Sequence, residues 1–395
     1  MNALQKLIGA ALLLALLMGA ASCGKTPPGS TSSNSTDSGA SSREESQTDS
    51  GAASEDSHAS SSESGTASVP TGSSGTGQGG DDSGGTGNGP NTPSTGSRPG
   101  TSGGTSSNSF TEYNGPVLNF RNPGDTQTVG VWWWTLGDIT SGDCDKYLDF
   151  LSKNKVSEIY LCVDRMGSSV SAASVRPFVK KAGQKGMRVA ALTGDVSWIT
   201  PGNTGFDNFV KKFNDYQKDA ASDEKFYAMH LDVEPHQRDD FSTNRAAILQ
   251  MFADLLTKKA RPAATAAGTL LEWDIPFWFT ASDIVKDGSD SLRLDELMAK
   301  KCDTVAVMSY RDTAAKMYDV AKEEIQFAKK YGTKIILGAE TYSTEGNAVS
   351  YMEEGKIYMN TELVKLKGLL DTAVPSKKYG IAIHQHKRWY DLKNQ

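Results

Sequence analysis

Between Phe226 and His236 the chain reads FYAMHLDVEPH, with His230, Asp232 and Glu234 at every second position and Met229, Leu231 and Val233 between them. In a β-strand this alternation sends the ionisable side chains to one face and the apolar ones to the other. An ordinary half-exposed strand carries Thr, Lys or Ser on its wet face, whereas acids beside an imidazole suit proton transfer. A carboxyl among apolar neighbours, with a second carboxylate close by, is held toward its neutral form by desolvation and like charge. A general acid working near neutral pH needs that state. Glu234, last before Pro235, is the candidate acid, with Asp232 beside it; the bland alternative for both is a structural salt bridge.

Other apolar runs end in reactive or sugar-binding groups: Asp164, Asp195 with Trp198 just beyond, Tyr310 followed by Arg311, Glu340, and His384 with His386. All seven tryptophans follow residue 110. Flat rings with nearby carboxylates suit a pyranose, whose C–H groups meet the ring while its hydroxyls meet the acids. The candidate contacts are Trp132, Trp134, Trp198, Trp278 and Trp389, with His230, His384, His386, Asp164, Asp195 and Arg311; for each tryptophan the alternative is core filling. His230, His236, His384 and His386, with Asp232 and Glu234, also form a set that could hold zinc or manganese. Hydrogen bonding to sugar hydroxyls or to Asp232 is the preferred reading, so no metal and no cofactor are expected.

These residues need elements to position them. TVGVWWWTL, SEIYLCVD, MRVAALTGD and FYAMHLDVE read as strands one to four, and IPFWFTASD, DTVAVMSY, TKIILGAE and YGIAIHQH as strands five to eight. Helical patterns such as CDKYLDFLSKN, NRAAILQMFADLLTKKA and AAKMYDVAKEEIQFAKKYG lie between them, the last closing on a glycine. Eight βα repeats over residues 110–395 predict an α/β fold, a (β/α)8 TIM barrel. Strand five is the weakest, because Pro276 removes a ladder donor. A doubly wound open sheet is the alternative, but no Gly-rich phosphate turn follows the first strand. In the barrel, Met229, Leu231 and Val233 should face the helices, and His230, Asp232 and Glu234 should climb the inside wall toward the C-terminal mouth.

Residues 1–22 carry Lys6 before an apolar stretch too short to cross a bilayer, which reads as a signal peptide. The closing AASC resembles a bacterial lipobox, so Cys23 is expected to be lipidated and to hold the protein on the outer face of the cell membrane. The alternative is a soluble secreted protein. Residues 23–109 are Ser, Gly, Thr, Pro and Asp with little to bury and should be a disordered tether. As a coil of about 85 residues it has a reach of roughly 50 Å. Nine acids and three bases fall between Gly24 and Asn108 and Lys6 lies in the leader, so of the total of −6 about −1 belongs to the residues from 110 onward. That balance gives no basic footprint for nucleic acid. Cys144, Cys162 and Cys302 have no close spacing and read as three buried thiols.

FYAMHLDVE, VAVMSY and KIILGAETY resemble strands four, six and seven of the chitinase-like glycoside hydrolases of family eighteen. The resemblance implies a TIM barrel acting on glycans. In that family strand four ends D-x-x-D-x-D-x-E, the final Glu protonates the leaving oxygen, and the preceding Asp orients an acetamido group that attacks the sugar carbon. Asp232 and Glu234 match those two positions, and Met308 and Tyr310 match an M-x-Y whose tyrosine contacts the acetamido group. Tyr227 and His230 stand in place of the first two aspartates, Arg311 in place of an acid, and His384 in place of a tryptophan. Val233-Glu234-Pro235 with Glu340 also resembles retaining barrel glycosidases that pair an acid on strand four with a nucleophile on strand seven. The expected function is a lipid-anchored, extracytoplasmic glycoside hydrolase with Glu234 as acid, assisted by Asp232 and Tyr310 or by Glu340. The rival readings are a glycan-binding surface protein without chemistry and a metal-dependent hydrolase.

Overall fold

The structure, a computed structural model, describes Leu118, residues 127–342 and residues 348–395; the leader, Cys23 and the tether lie outside them. Eight parallel strands close into a barrel. They are β1 (Thr128–Trp133), β2 (Glu158–Cys162), β3 (Arg188–Thr193), β4 (Ala228–Leu231), β5 (Leu270–Pro276), β8 (Thr304–Met308), β9 (Lys334–Glu340) and β10 (Tyr379–His384). A two-stranded hairpin, β6 (Ile284–Asp287) and β7 (Asp290–Arg293), is inserted after β5. Closure is made by β1, which pairs with β2 on one side and β10 on the other. The fold expected from the alternation of strand and helix patterns is therefore the one observed.

The strand period sorts the side chains into two populations. Val131, Leu161, Met229, Leu231, Val233, Trp273, Val307 and Ile381 join the buried layer between sheet and helices. The alternate positions form a smaller apolar cluster inside the barrel, made of Trp132, Tyr160, Cys162, Ala190, Leu192, Ala228, Ala306, Ile336 and Ala382. Four of these nine are alanines, and the volume they leave is taken up by long polar side chains. Glu158, His230 and Glu272 are completely buried there. Near the floor, Glu158 accepts from Arg188, from Lys334 Nζ at 2.7 Å and from Thr128 Oγ1 at 3.0 Å. Burial alone would raise its pKa, but the charges and hydrogen bonds of Lys334 and Arg188 overcome that and hold it at about 2.

Helices α1 (Cys144–Lys153), α2 (Ala172–Gln184), α3 (Gly205–Asp219) and α4 (Phe241–Asp254) follow the first four strands. The Ser171 hydroxyl caps α2 by accepting from Ser174 N at 3.1 Å. The expected glycine stop is Gly332, at φ 71° after the helix Lys322–Tyr331. Strand five required correction, because it runs Leu270–Pro276 and not from Ile275 onward. Pro276 is tolerated as its last residue, where little of the ladder remains to be donated to. Of the three expected thiols, Cys144 and Cys302 are buried and free, and Cys162 is buried in the cluster inside the barrel.

The end of β3 lies hard against the segment that carries the candidate acids. A Cβ built on Gly194 would lie 1.7 Å from the Asp232 carbonyl oxygen, a backbone atom that cannot swing aside. Gly194→Ala must therefore push the two chains apart; we expect a loss of about 1–3 kcal/mol or more in urea unfolding, and an unchanged midpoint would show that the contact is slack.

Candidate active site

The alternation in FYAMHLDVEPH persists past the strand. Although β4 ends at Leu231, Asp232 N still donates to Thr193 O at 3.0 Å, so the pleat continues into the mouth. His230 is deepest and fully buried, Asp232 lies above it, and Glu234 stands at the start of the short 3-10 turn Pro235–Gln237.

His230 uses both ring nitrogens. Nδ1 lies 3.0 Å from Glu272 Oε2 and Nε2 lies 2.9 Å from Asp274 Oδ1. Desolvation disfavours its charge, but Asp274 and Glu272 outweigh burial and raise its pKa to about 10. Glu272 also accepts from Tyr227 at 3.0 Å and Thr304 at 3.1 Å, and Asp274 accepts the Trp132 indole N–H at 3.0 Å. Tyr160 stacks on the imidazole at a centroid distance of 4.2 Å.

Above this layer the acids are less satisfied. Burial pushes the Asp232 pKa well up, reinforced by Glu234 and Asp274, and its Oδ1 is buried with no hydrogen-bond partner. Glu234 is raised to about 7, first by burial and then by Asp274, against the opposing pull of the Gln237 amide and His384. Gln237 donates to Glu234 Oε2, and His236 Nε2 lies 3.6 Å from Oε1. The Tyr310 hydroxyl is held far above its ordinary pKa by burial and by the fields of Glu340, Asp274, Asp232 and Glu234. Tyr310 and Trp132 converge over β9, where a Cβ at Gly338 would lie 3.0 Å from the tyrosine ring and 3.4 Å from the indole.

Glu340 is bound on both oxygens. Oε1 accepts from Thr341 N and Tyr342 N, each at 2.8 Å, and Oε2 meets His384 Nδ1 at 2.7 Å. The indole N–H of Trp134 donates to His384 Nε2 at 2.6 Å, so Nδ1 carries the ring hydrogen and gives it to Glu340. Burial opposes charge on His384 while Glu340 favours it, so its pKa lies above the ordinary value, and gaining a proton breaks the Trp134 bond.

The remaining candidates divide. Asp164 accepts from Thr193 Oγ1 at 2.6 Å, and burial raises it to about 6. Asp164, Asp195 and Trp198 line a small cleft of about 210 Å³ beside the mouth. Trp278 packs edge-on against His236 at 5.1 Å. Arg311 lies over the Phe277 ring at 4.5 Å and donates to the Tyr310 carbonyl. Trp389 and His386 stand apart from this group. His386 stacks on Trp133 at 4.0 Å and Trp389 packs on Phe150, both in the helix layer. The alternation expected across HQH stops because β10 ends at His384 and a helix, His386–Asp391, begins.

Asp274 and Glu272 were missed at the sequence level. LLEWDIP spaces Glu272 and Asp274 by two, the same signal as His230, Asp232 and Glu234, but it lies before the segment read as strand five. Among the described residues no group of three His, Cys, Asp or Glu side chains is arranged to hold a metal ion.

No family model and no curated relative matches the chain. Among solved structures it resembles the spore cortex-lytic enzyme SleL of Bacillus megaterium QM B1551, at 12% identity over 68% of this chain and 74% of that one, with a TM-score of 0.40. A family 18 glycoside hydrolase chitinase from Cycas revoluta in complex with (GlcNAc)4 matches at 14% identity over 67% of this chain and 96% of that one, TM-score 0.41. A thermostable xylanase mutant from Cellvibrio japonicus matches at 12% identity, over 69% and 87%, TM-score 0.42. Likenesses of this degree assign no chemistry.

His230 offers a direct test of the buried layer. Replacing it with Gln strips an imidazolium from between two buried acids, and breaking such a pair costs about 3–5 kcal/mol. Because its folded pKa of about 10 stands above the unfolded value near 6.5, this stabilisation is full below pH 6.5 and is lost as the pH rises toward 10. Urea unfolding of both proteins across that range should show the gap closing; a gap independent of pH would mean the imidazole is neutral.

Proposed function

We propose that the barrel hydrolyses O-glycosidic bonds of a polysaccharide or glycan outside the cell, with Glu234 as general acid. The observation that carries this is the state of Glu234, a carboxyl with a pKa near 7 above a buried Asp232 oxygen that lacks a partner, beside Tyr310 and Trp132 at the barrel's C-terminal mouth. A protonated Glu234 would donate its proton to the glycosidic oxygen as the bond to the sugar carbon breaks.

The second step is better supplied by the substrate than by Glu340. A displacement nucleophile needs a free oxygen, and Glu340 has two backbone N–H groups on one and His384 on the other. Asp232 has an oxygen to spare, and with Tyr310 it suits the orienting of an acetamido group whose oxygen attacks the sugar carbon. This agrees with the resemblance of VAVMSY and HLDVE to the chitinase-like enzymes. Water then opens the cyclic intermediate and returns its proton to Glu234. His384 and Glu340 would set the Trp134 ring. Attachment through lipid on Cys23, and the membrane location that follows, rest on the lipobox-like AASC.

A binding-only reading is favoured by the Gln237 amide, which opposes protonation of Glu234. One experiment separates the two. Incubation with mixed 2-acetamido and neutral oligosaccharides should yield cleaved product, at a rate that falls as the pH rises through about 7. Glu234→Gln should lose about 10²- to 10⁴-fold in kcat with binding retained, and Glu340→Gln should lose less. Unchanged turnover in Glu234→Gln overturns the assignment, and binding without product from the wild type selects the binding-only reading. Separately, labelled fatty acid should be incorporated in a producing bacterium and should disappear in Cys23→Ser.

A further inference from the structure

A wide cavity lies away from the mouth. A concavity of about 1090 Å³ opens at the opposite end of the barrel, where the strands begin, and it is bounded by eight cationic side chains against two acids. The residues from 110 onward are close to neutral, so this is a segregation of charge and not a general basicity.

Two ordinary explanations account for part of it. Barrel helices end at this face, and cations favour helix C-termini, which explains Lys300 and Lys301 at the end of the helix Leu294–Lys301. Others answer acids: Arg188 and Lys334 hold Glu158, and Arg261 holds Asp303 at 2.8 Å. Lys155, Lys225 and Lys378 have neither explanation. All three line the cavity on loops, and none makes an ion pair among the described residues. Lys155 also holds a left-handed backbone at φ 60°, a position after a helix end that glycine fills with less strain.

We propose that this cavity is a binding site for phosphate groups carried on a polymer or surface, gripped by Lys155, Lys225 and Lys378. Both arginines of the lining are already forked or paired on carboxylates. The charge left over is therefore ammonium, which binds phosphate as a point charge without demanding the planar bidentate geometry of a carboxylate. The hydroxyls of Ser157, Ser222 and Thr333 line the same cavity and add donors for phosphate oxygens. The site lies at the other end of the strands from Glu234, so it holds a partner without competing for the mouth.

The probe is inorganic polyphosphate, titrated into the purified chain at about 50 mM and about 200 mM salt. Saturable binding that weakens with salt is expected. In the triple variant Lys155→Glu, Lys225→Glu, Lys378→Glu the affinity should fall by at least about tenfold. The milder Lys225→Gln and Lys378→Gln variant, on exposed side chains, keeps the test valid if the triple variant misfolds, and should weaken binding by a smaller factor. Glu234→Gln should bind as the wild type does, so a failure of the hydrolase reading leaves this result standing. Vesicles of phosphatidylglycerol show the source of the phosphate: binding there through the same lysines identifies a headgroup, and its absence a soluble polymer. Equal affinity for polyglutamate, no binding of polyphosphate, or insensitivity to the charge reversals would overturn the proposal.

Discussion

The carboxylate of Asp274 is the joint on which the interior of this barrel depends. It receives His230 from β4 and the Trp132 indole from β1, so one side chain of β5 ties together strands that are not all neighbours. Hydrophobic packing cannot do this here, because alanines occupy so much of the inner wall. The joint holds because one buried imidazolium bridges Glu272 and Asp274, giving each carboxylate a hydrogen bond and sharing a single positive charge between them. Removing any member leaves a bare ion in a low-dielectric interior. The layer acts as the fixed floor of the mouth.

Above that floor, carboxylates differ by how completely their lone pairs are used. Glu158 and Glu340 are filled with donors and behave as parts of the frame. Asp232 and Glu234 are not filled, and desolvation together with the field of Asp274 shifts both toward neutrality. The contrast separates supporting acids from reactive ones without reference to any other protein. The imidazole of His230 satisfies two acids from β5, a network that still leaves an oxygen of Asp232 without a partner.

Much of this was legible in the residue types. A period of two across Met229 to Glu234 announced which side chains would line the interior, and β4 with the residues that follow it agrees. Legibility failed where an element ended sooner or began earlier than its apolar pattern. Pro276 drew attention to the segment after it, and the alternating acids of LLEWDIP went unread, although Pro276 closes β5. His384 and His386 look equivalent on paper, yet the first lies on a strand and the second opens a helix, which sends it to Trp133. Trp389 follows the same turn outward. Partners drawn from distant strands, such as Trp134 for His384, leave no local trace at all.

Ammonium groups gather where the strands begin, although the residues from 110 onward are close to neutral as a whole. A local excess of one sign is felt only within about a Debye length, roughly 8 Å at physiological ionic strength. Salt therefore governs how far this face reaches, and at physiological strength its charge acts on what comes into near contact with it, even for a domain whose net charge is almost nil.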